Sequence, residues 1–338
     1  MQKTILVVGG AGYIGSHTAY FLSQHSYHVI ILDAFVHQQP FEHTWATIIP
    51  GDYGDRELLK RIFCEYPINA VMHFAAYTSV AESVKNPARY YENNVAKTIT
   101  LLNCMHEHAI NTIIFSSSAA VYGIPQTPLL TEDHPKNPIN PYGRTKLIIE
   151  HILGDYAHAY GLQFCALRYF NAAGALAEHG LGEYHRPETH IIPLALKAAI
   201  NRSQFSVLGS THQTPDGTCI RDYVHVADIA QAHLLALNYL QHGGISTSFN
   251  LGSNTGYSVK EILEKISAVV GQAPYITYTA AREGDPAILI ADATKAKTIL
   301  QWQPRYSDLA TIIISAHQAL YQIKKNSQKR RRMDEKTF

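Results

Sequence analysis

Short, unbroken apolar runs alternate along this chain with longer stretches whose apolar positions recur every three or four residues. Residues 5–8 form the kind of run that is buried on both faces of a parallel sheet. Further strands are expected at 29–32, 46–50, 70–74, 112–116 and 163–169. Between them the periodic stretches predict a helix ending near His25, one over 56–66, a long one with Tyr90, Tyr91, Asn93, Asn94 and Val95 in its early part, and one over 142–160. The segment 125–141, rich in proline, reads as a loop. Strand ends that alternate with helices in this way specify an α/β fold with an N-terminal doubly wound parallel sheet. Past residue 174 the pattern changes. A loop is expected over 176–186, a helix over 190–200, a strand over 205–209, a segment 217–228 leading into a helix, a strand over 249–252, a helix over 259–270, a loop at 282–286 and a last helix from about 308. The chain therefore divides into residues 1–174, a nucleotide-binding domain to which some later segments are allowed to return, residues 175–323, a smaller α/β substrate domain, and residues 324–338, a basic tail expected to be disordered.

Composition narrows the field. With 338 residues, 46% of them apolar and 16% charged, the chain can bury a large core, as a globular enzyme does. A formal charge of +1 gives no general reason to expect nucleic acid or an acidic membrane as partner. The one charge run, Lys324, Lys325, Lys329 and Arg330 to Arg332, falls in the tail. Cys64, Cys104, Cys165 and Cys219 make no Cys-x-x-Cys pair and read as reduced thiols. The chain enters its first strand with no cleavable signal ahead of it, and no apolar run reaches the ~18 residues needed to span a bilayer, so a cytoplasmic location is expected. His106 and His108 point to opposite sides of a helix and are poor joint ligands, so no metal site is expected.

Chemistry enters at the strand ends, where doubly wound sheets bind ligands. Gly9-Gly10-Ala11-Gly12-Tyr13-Ile14-Gly15 follows the first strand and opens a helix, which is a Rossmann-type dinucleotide turn. Asp33, at the end of the second strand, stands where a ribose diol would be held, and its charge would repel a 2′-phosphate, so NAD is expected over NADP. Asp52, residues 74–76 and Ser116 to Ser118 follow other strands. Tyr142 and Lys146 open a helix one turn apart, which sets a cation beside a phenol. That spacing alone is weak, because about one such pair is expected by chance and Tyr321 with Lys325 is another. An unperturbed phenol titrates near pH 10, so acting as a base near neutrality requires lowering it by about 3 units.

The strand-end serine, the Tyr-x-x-x-Lys and the glycine turn together resemble the extended short-chain dehydrogenase/reductase superfamily. In detail the chain is similar to the UDP-galactose 4-epimerase (UDP-glucose 4-epimerase) family. The shared blocks run from the glycine turn through His73-Phe-Ala-Ala76, Tyr90-Tyr-Glu-Asn-Asn-Val95, Phe115-Ser-Ser-Ser-Ala-Ala-Val-Tyr-Gly123, Asn140-Pro-Tyr-Gly-Arg-Thr-Lys146, Leu167-Arg-Tyr-Phe-Asn171 and Arg221-Asp-Tyr-Val-His225 to Arg282-Glu-Gly-Asp-Pro286. The resemblance implies interconversion of UDP-glucose and UDP-galactose through a 4-keto sugar. Tyr142 is then the base, Ser118 its partner on the 4-hydroxyl, and Lys146 the residue that lowers the phenol, helped by the positive nicotinamide. It implies NAD as cofactor, held by Gly9, Gly12, Tyr13, Ile14, Gly15, Asp33, Asp52, Tyr53, Phe74, Ala75, Ala76, Asn93, Ser116, Tyr142, Lys146 and Phe170. It implies a UDP-sugar substrate held by Ser118, Tyr142, Asn171, His190, Leu208, Arg221, Tyr223, Arg282 and Asp285. A homodimer, and no membrane or nucleic-acid partner, are also implied. The chain departs from the family pattern at Ala34, Thr78, His190 and Leu289, and a small residue at 289 leaves the N-acetylated sugar nucleotides open as substrates. A dehydratase of the same superfamily would need an acid just after the serine, where Ala119 and Ala120 stand. A non-catalytic NAD sensor is disfavoured by Ser118, Tyr142 and Lys146 together.

Overall fold

The computed structural model describes residues 2–36, 44–185, 187–281 and 286–334, with side chains to residue 322. Its elements in chain order begin β1 (Thr4–Val8), α1 (Tyr13–Gln24), β2 (His28–Asp33), β3 (Thr47–Pro50), α2 (Arg56–Glu65) and β4 (Ile68–His73). There follow α3 (Val80–Lys85), α4 (Pro87–Tyr90), a π-helical turn (Tyr91–Ala96), α5 (Lys97–Glu107), β5 (Thr112–Ser118), β6 (Leu129–Leu130), α6 (Pro141–Tyr160), β7 (Gln163–Tyr169) and β8 (Asn171–Ala173). The remainder is α7 (Ile191–Asn201), β9 (Gln204–Leu208), β10 (Ile220–His225), α8 (Val226–Gln241), β11 (Thr247–Leu251), β12 (Gly256–Ser258), α9 (Val259–Val270), β13 (Tyr275–Thr279), β14 (Ile288–Ala291), α10 (Thr294–Ile299) and α11 (Leu309–Asp334).

The fold is α/β around a seven-stranded parallel sheet of order β11-β7-β5-β4-β1-β2-β3. Successive side chains of a strand face opposite ways, and here each face has its own helical layer. Ile5 and Val7 pack with Ala19 and Leu22 of α1 and with Ile229 and Leu237 of α8. Leu6 and Val8 pack with Leu59 and Ile62 of α2, Leu101 of α5 and Ile149 of α6. Burying each such side chain stabilises by roughly 1.5–3 kcal/mol, which is why the short apolar runs settle in the middle of the sheet.

Two late segments return to this domain: α8 covers one face and β11 pairs with β7. Trp302, wholly buried, joins the same layer as α1 and α8, and its indole N–H donates to the Asp228 carbonyl at 2.9 Å. The smaller lobe gathers Ile192 and Leu196 of α7, Ile262 and Ile266 of α9, and Ile312 and Ile313 of α11 around Val207 and Tyr223. β10 joins the two lobes. Its start pairs with β12 and β14, and its end pairs with β8, directly after β7.

The structure differs from the sequence reading in places with physical causes. The long helix before β5 starts at Pro87, where Asn86 caps it, and runs to Glu107 with a π-helical turn in place of regular α geometry over Tyr91–Ala96. The π-helical turn that follows carries Asn94, whose buried amide accepts from the Tyr77 N–H at 2.9 Å and donates to the Tyr77 carbonyl at 3.0 Å. The strand expected to end at 116 continues to Ser118, paired with Tyr169. The expected loop 125–141 contains the short strand β6, which pairs with β14. The backbone of α11 runs through residue 334, into the stretch read as a basic tail.

Candidate active site

A cavity of about 880 Å³ opens beyond the carboxyl ends of the sheet strands and reaches into the smaller lobe. At its floor the glycine turn connects β1 to α1. Gly9 has φ of 78°, and a Cβ there would stand 2.4 Å from the backbone nitrogen of Ala75. A Cβ at Gly15 would stand 2.2 Å from the Gly9 carbonyl oxygen, so neither position admits a side chain. Gly12 caps α1 without a side chain, and the first turn of α1 carries no acidic residue. Its amides are thus free to meet an anion, and the bare turn lets one approach. The Tyr13 phenol donates to the Gly174 carbonyl at 2.6 Å and braces the turn against the chain after β8.

Asp33 ends β2, where its two carboxylate oxygens accept the N–H groups of Ala11 (2.9 Å) and Phe35 (2.8 Å). It therefore orders the glycine turn as well as facing the cavity. Asp52 accepts from Lys97 at 2.5 Å and from the Gly54 N–H at 2.7 Å. The buried Tyr53 hydroxyl donates to the Asn93 carbonyl. Phe74, Ala75, Ala76, Asn93, Ile14 and Gly15 line the same cavity.

The chemical centre lies where β5 meets α6. Asn140 caps α6 by accepting from the Gly143 N–H at 2.8 Å, Pro141 takes the first helical position, and Gly161 closes the helix in the left-handed region. This cap turns Tyr142 into the cavity beside Ser118 at the end of β5. Burial pushes the Tyr142 phenol above its ordinary value, and a hydrogen bond with the Ser118 hydroxyl draws it partly back. The Lys146 amine donates to the Ser116 carbonyl at 2.7 Å and lies 5.9 Å from the centre of the Tyr142 ring. Burial pulls Lys146 down to about 7, against the opposing pull of the Glu150 carboxylate. Lys146 therefore does not, by itself, bring the phenol toward neutrality in the protein alone. Burial acts on both groups and disfavours both charges.

In the smaller lobe Phe170, Asn171, Leu208, Arg221 and Tyr223 line the cavity. The Asn171 amide donates to the Asp222 carbonyl at 2.8 Å, which locks β8 to β10. Asp222 is no surface ion partner for Arg221. It is buried and accepts from the Ser253 N–H (2.8 Å) and hydroxyl (2.7 Å) and the Ala291 N–H (3.1 Å), with burial lifting its carboxyl to about 6. His190 lies on the cavity wall, its Nδ1 2.6 Å from Glu183 and 3.2 Å from Glu188. Burial opposes its charge, but these carboxylates outweigh it and hold the imidazole up to about 10. Glu183, His185, Glu188 and His190 bring ligand-type atoms within 4.8 Å of one another, the grouping of that kind among the described residues. Imidazole–carboxylate hydrogen bonds occupy the space between them, and those bonds need the protons that a metal would displace. Ala34, Thr78 and Leu289 also face the cavity, whereas Arg282 and Asp285 lie outside the described residues.

The sequence reading missed Lys97, Glu150 and Arg168, and it placed Ser117 among the strand-end residues without giving it a partner. Glu150 had a visible signal, since it continues the one-turn spacing of Tyr142 and Lys146. Arg168 had none, because a strand arginine looks the same whether it is exposed or buried.

Comparison with known proteins agrees with this geometry. Residues 5–252 match the NAD dependent epimerase/dehydratase family. The chain is 48% identical to a UDP-glucose 4-epimerase of Rhizobium leguminosarum bv. trifolii over 315 residues, 93% of this chain and 96% of that one. The crystal structure of UDP-glucose 4-epimerase from Brucella ovis in complex with NAD is similar at a TM-score of 0.91 and 46% identity, covering 93% of this chain and 97% of that one. The UDP-Glc/GlcNAc 4-epimerase of Campylobacter jejuni is similar at a TM-score of 0.83 and 39% identity, covering 95% and 99%. The glycine turn on β1, the serine ending β5 and the Tyr142–Lys146 pair on α6 thus stand in a chain that belongs to the NAD dependent epimerase/dehydratase family.

Proposed function

We propose that this protein is an isomerase that interconverts UDP-glucose and UDP-galactose by reversible oxidation at carbon 4 of the sugar, with NAD as its cofactor. One observation carries the reading: Ser118, Tyr142 and Lys146 share a single cavity with the bare glycine turn on one side and Arg221 on the other. The turn fits a dinucleotide, since a Cβ at Gly9 or Gly15 would fill the cradle and the α1 amides face it. Asp33 would hold ribose hydroxyls and Lys146 the nicotinamide ribose, while Asp52, Tyr53, Phe74 to Ala76, Asn93, Ser116 and Phe170 would make other contacts with the dinucleotide. When bound, NAD supplies the two-electron acceptor and donor for carbon 4.

The chain's own groups manage protons and position. Tyr142 takes the proton of the 4-hydroxyl and returns it, and Ser118 holds the same oxygen. Because the phenol stands above its ordinary value in the protein alone, it becomes a base only when positive charge is added beside it. Lys146 contributes to that charge. Arg221, together with Arg282, pairs with the diphosphate, while Asn171, Leu208, Tyr223, His190 and Asp285 hold the rest of the nucleotide. The sugar is then free to turn over above Tyr142 and be reduced on its other face. Ala119 and Ala120, which follow Ser118, supply no acid for a dehydration.

Leu289 on the cavity wall favours a second reading, in which the same reaction extends to UDP-N-acetylglucosamine and UDP-N-acetylgalactosamine. Purified protein supplied with UDP-galactose and, in parallel, UDP-N-acetylgalactosamine should form UDP-glucose in the first arm. Failure of both arms, with NAD added back, overturns the reading. Tyr142→Phe should lower turnover by about 10²- to 10⁴-fold and still bind NAD. Among the described residues no helix is long and apolar enough to cross a membrane. A homodimer in the cytoplasm completes the reading, and sedimentation at working concentration tests the dimer.

A further inference from the structure

Tyr142, Lys146 and Glu150 follow one another at single-turn intervals on one face of α6, and β5 lies beneath that face. Three consecutive serines of β5 answer them. Ser118 stands beside Tyr142 on the cavity wall and draws its phenol down, the Ser116 carbonyl accepts from Lys146 at 2.7 Å, and the Ser117 hydroxyl donates to Glu150 at 2.5 Å. Glu150 is clamped from the next strand as well. Arg168, the register partner of Ser117, donates to it through Nε at 2.9 Å and through a terminal nitrogen at 2.5 Å. Arg168 spends its other contacts on the Tyr122 hydroxyl and Ser248 hydroxyl, both at 2.9 Å, and the Glu132 carbonyl at 3.3 Å. The ion pair is almost wholly buried, with side-chain exposures of 3% for Arg168 and 7% for Glu150.

A buried ion pair is weak evidence for stability, since apolar residues of equal volume commonly serve as well. This one lies one turn beyond the buried Lys146 amine. We propose that Glu150, fixed by Arg168 and Ser117, is a positioning residue for Lys146, supplying the anion that favours the protonated amine against burial and seats it on the Ser116 carbonyl below Tyr142. This rests on the reading of Tyr142 and Lys146 given above. The other groups around Lys146 do not supply that anion. His73 of β4 is buried and neutral, held down to about 3 by burial and by Lys146 itself; the Phe115 ring of β5 lies 4.9 Å away; Tyr142 and Tyr169 are protonated phenols; and Arg168 is a second cation.

The test reads the charge of Lys146 directly. Carbon-13 NMR of the lysine ε-carbons, with Lys146 assigned by Lys146→Met, gives its titration midpoint in the protein without substrate. Glu150→Gln should move that midpoint to lower pH by about one unit, and Glu150→Asp should move it less in the same direction. In activity assays the alkaline limb of the kcat profile should shift down with it, while KM changes less than about twofold. An unmoved midpoint in Glu150→Gln overturns the proposal, and should that variant fail to fold, an unmoved midpoint in Glu150→Asp does the same. If the unsubstituted protein converts no UDP-sugar, the functional reading has failed, and the NMR midpoint still decides the role of Glu150.

Discussion

At the scale of single residues, Lys146 is the most informative group. Its amine is almost wholly buried, has one carbonyl partner within hydrogen-bonding distance, and titrates near 7 where an ordinary lysine titrates near 10.5. Between those values the unfolded chain binds a proton that the folded chain does not. Stability must therefore rise with pH across that window, and the destabilisation is fully present below about 7. Replacing the amine by an apolar chain of similar length removes this dependence. Urea unfolding of the unsubstituted protein and of Lys146→Met, both without cofactor, should show the unsubstituted protein gaining stability relative to the variant as pH rises from 7 to 9. Parallel curves would mean that burial does not lower the proton affinity of Lys146.

At the scale of elements, α6 carries the site because its start is fixed. The Asn140 cap and Pro141 set the first turn, and Tyr142 falls inside it. Asn140→Ala should cost about 1 kcal/mol of stability and should lower kcat beyond what that loss explains, since fraying of this turn moves the phenol. Comparing denaturation midpoint with kcat under fully folded conditions checks both, and an unchanged kcat would separate the cap from the chemistry. The elements that carry this site were legible in the sequence for a physical reason. Residues 5–8 and 29–32 are buried on both faces, so the apolar run itself announces the strand, and the glycines are demanded by backbone contacts rather than by packing that varies with context. The smaller lobe was less legible. β8, β12 and β14 have three or four residues each, and β13 has mostly exposed positions, so none carries a periodic signal. Their positions are set by long-range pairing with β10 and β9. The π-helical turn was invisible because its sequence is compatible with an ordinary helix, and only the seat of Asn94 between Tyr77 and Thr145 selects the wider turn.

At the scale of the whole molecule, the two lobes do not share out the chain in sequence order. Trp302 lies far along the chain yet sits among residues of β1, α1 and α8, while Asp228 accepts from the Arg305 and Tyr306 N–H groups, both at 2.9 Å, and from the Ser307 hydroxyl at 2.6 Å. Trp302→Ala should therefore destabilise the nucleotide-binding sheet by about 3–5 kcal/mol. Unfolding followed through the far-ultraviolet signal and through NAD binding should move together, and loss of the smaller lobe alone would contradict this packing. The same interleaving has a cost during synthesis. β7 is complete at Tyr169, but its outer neighbour β11 begins at Thr247 and matches Thr247 to Cys165 and Leu251 to Tyr169. While a ribosome adds residues 170–246, which takes on the order of ten seconds, that edge of a largely apolar sheet has no strand to pair with. An unpaired edge of this kind invites pairing with other nascent chains, so a chain stopped before Thr247 should aggregate more readily than the full chain.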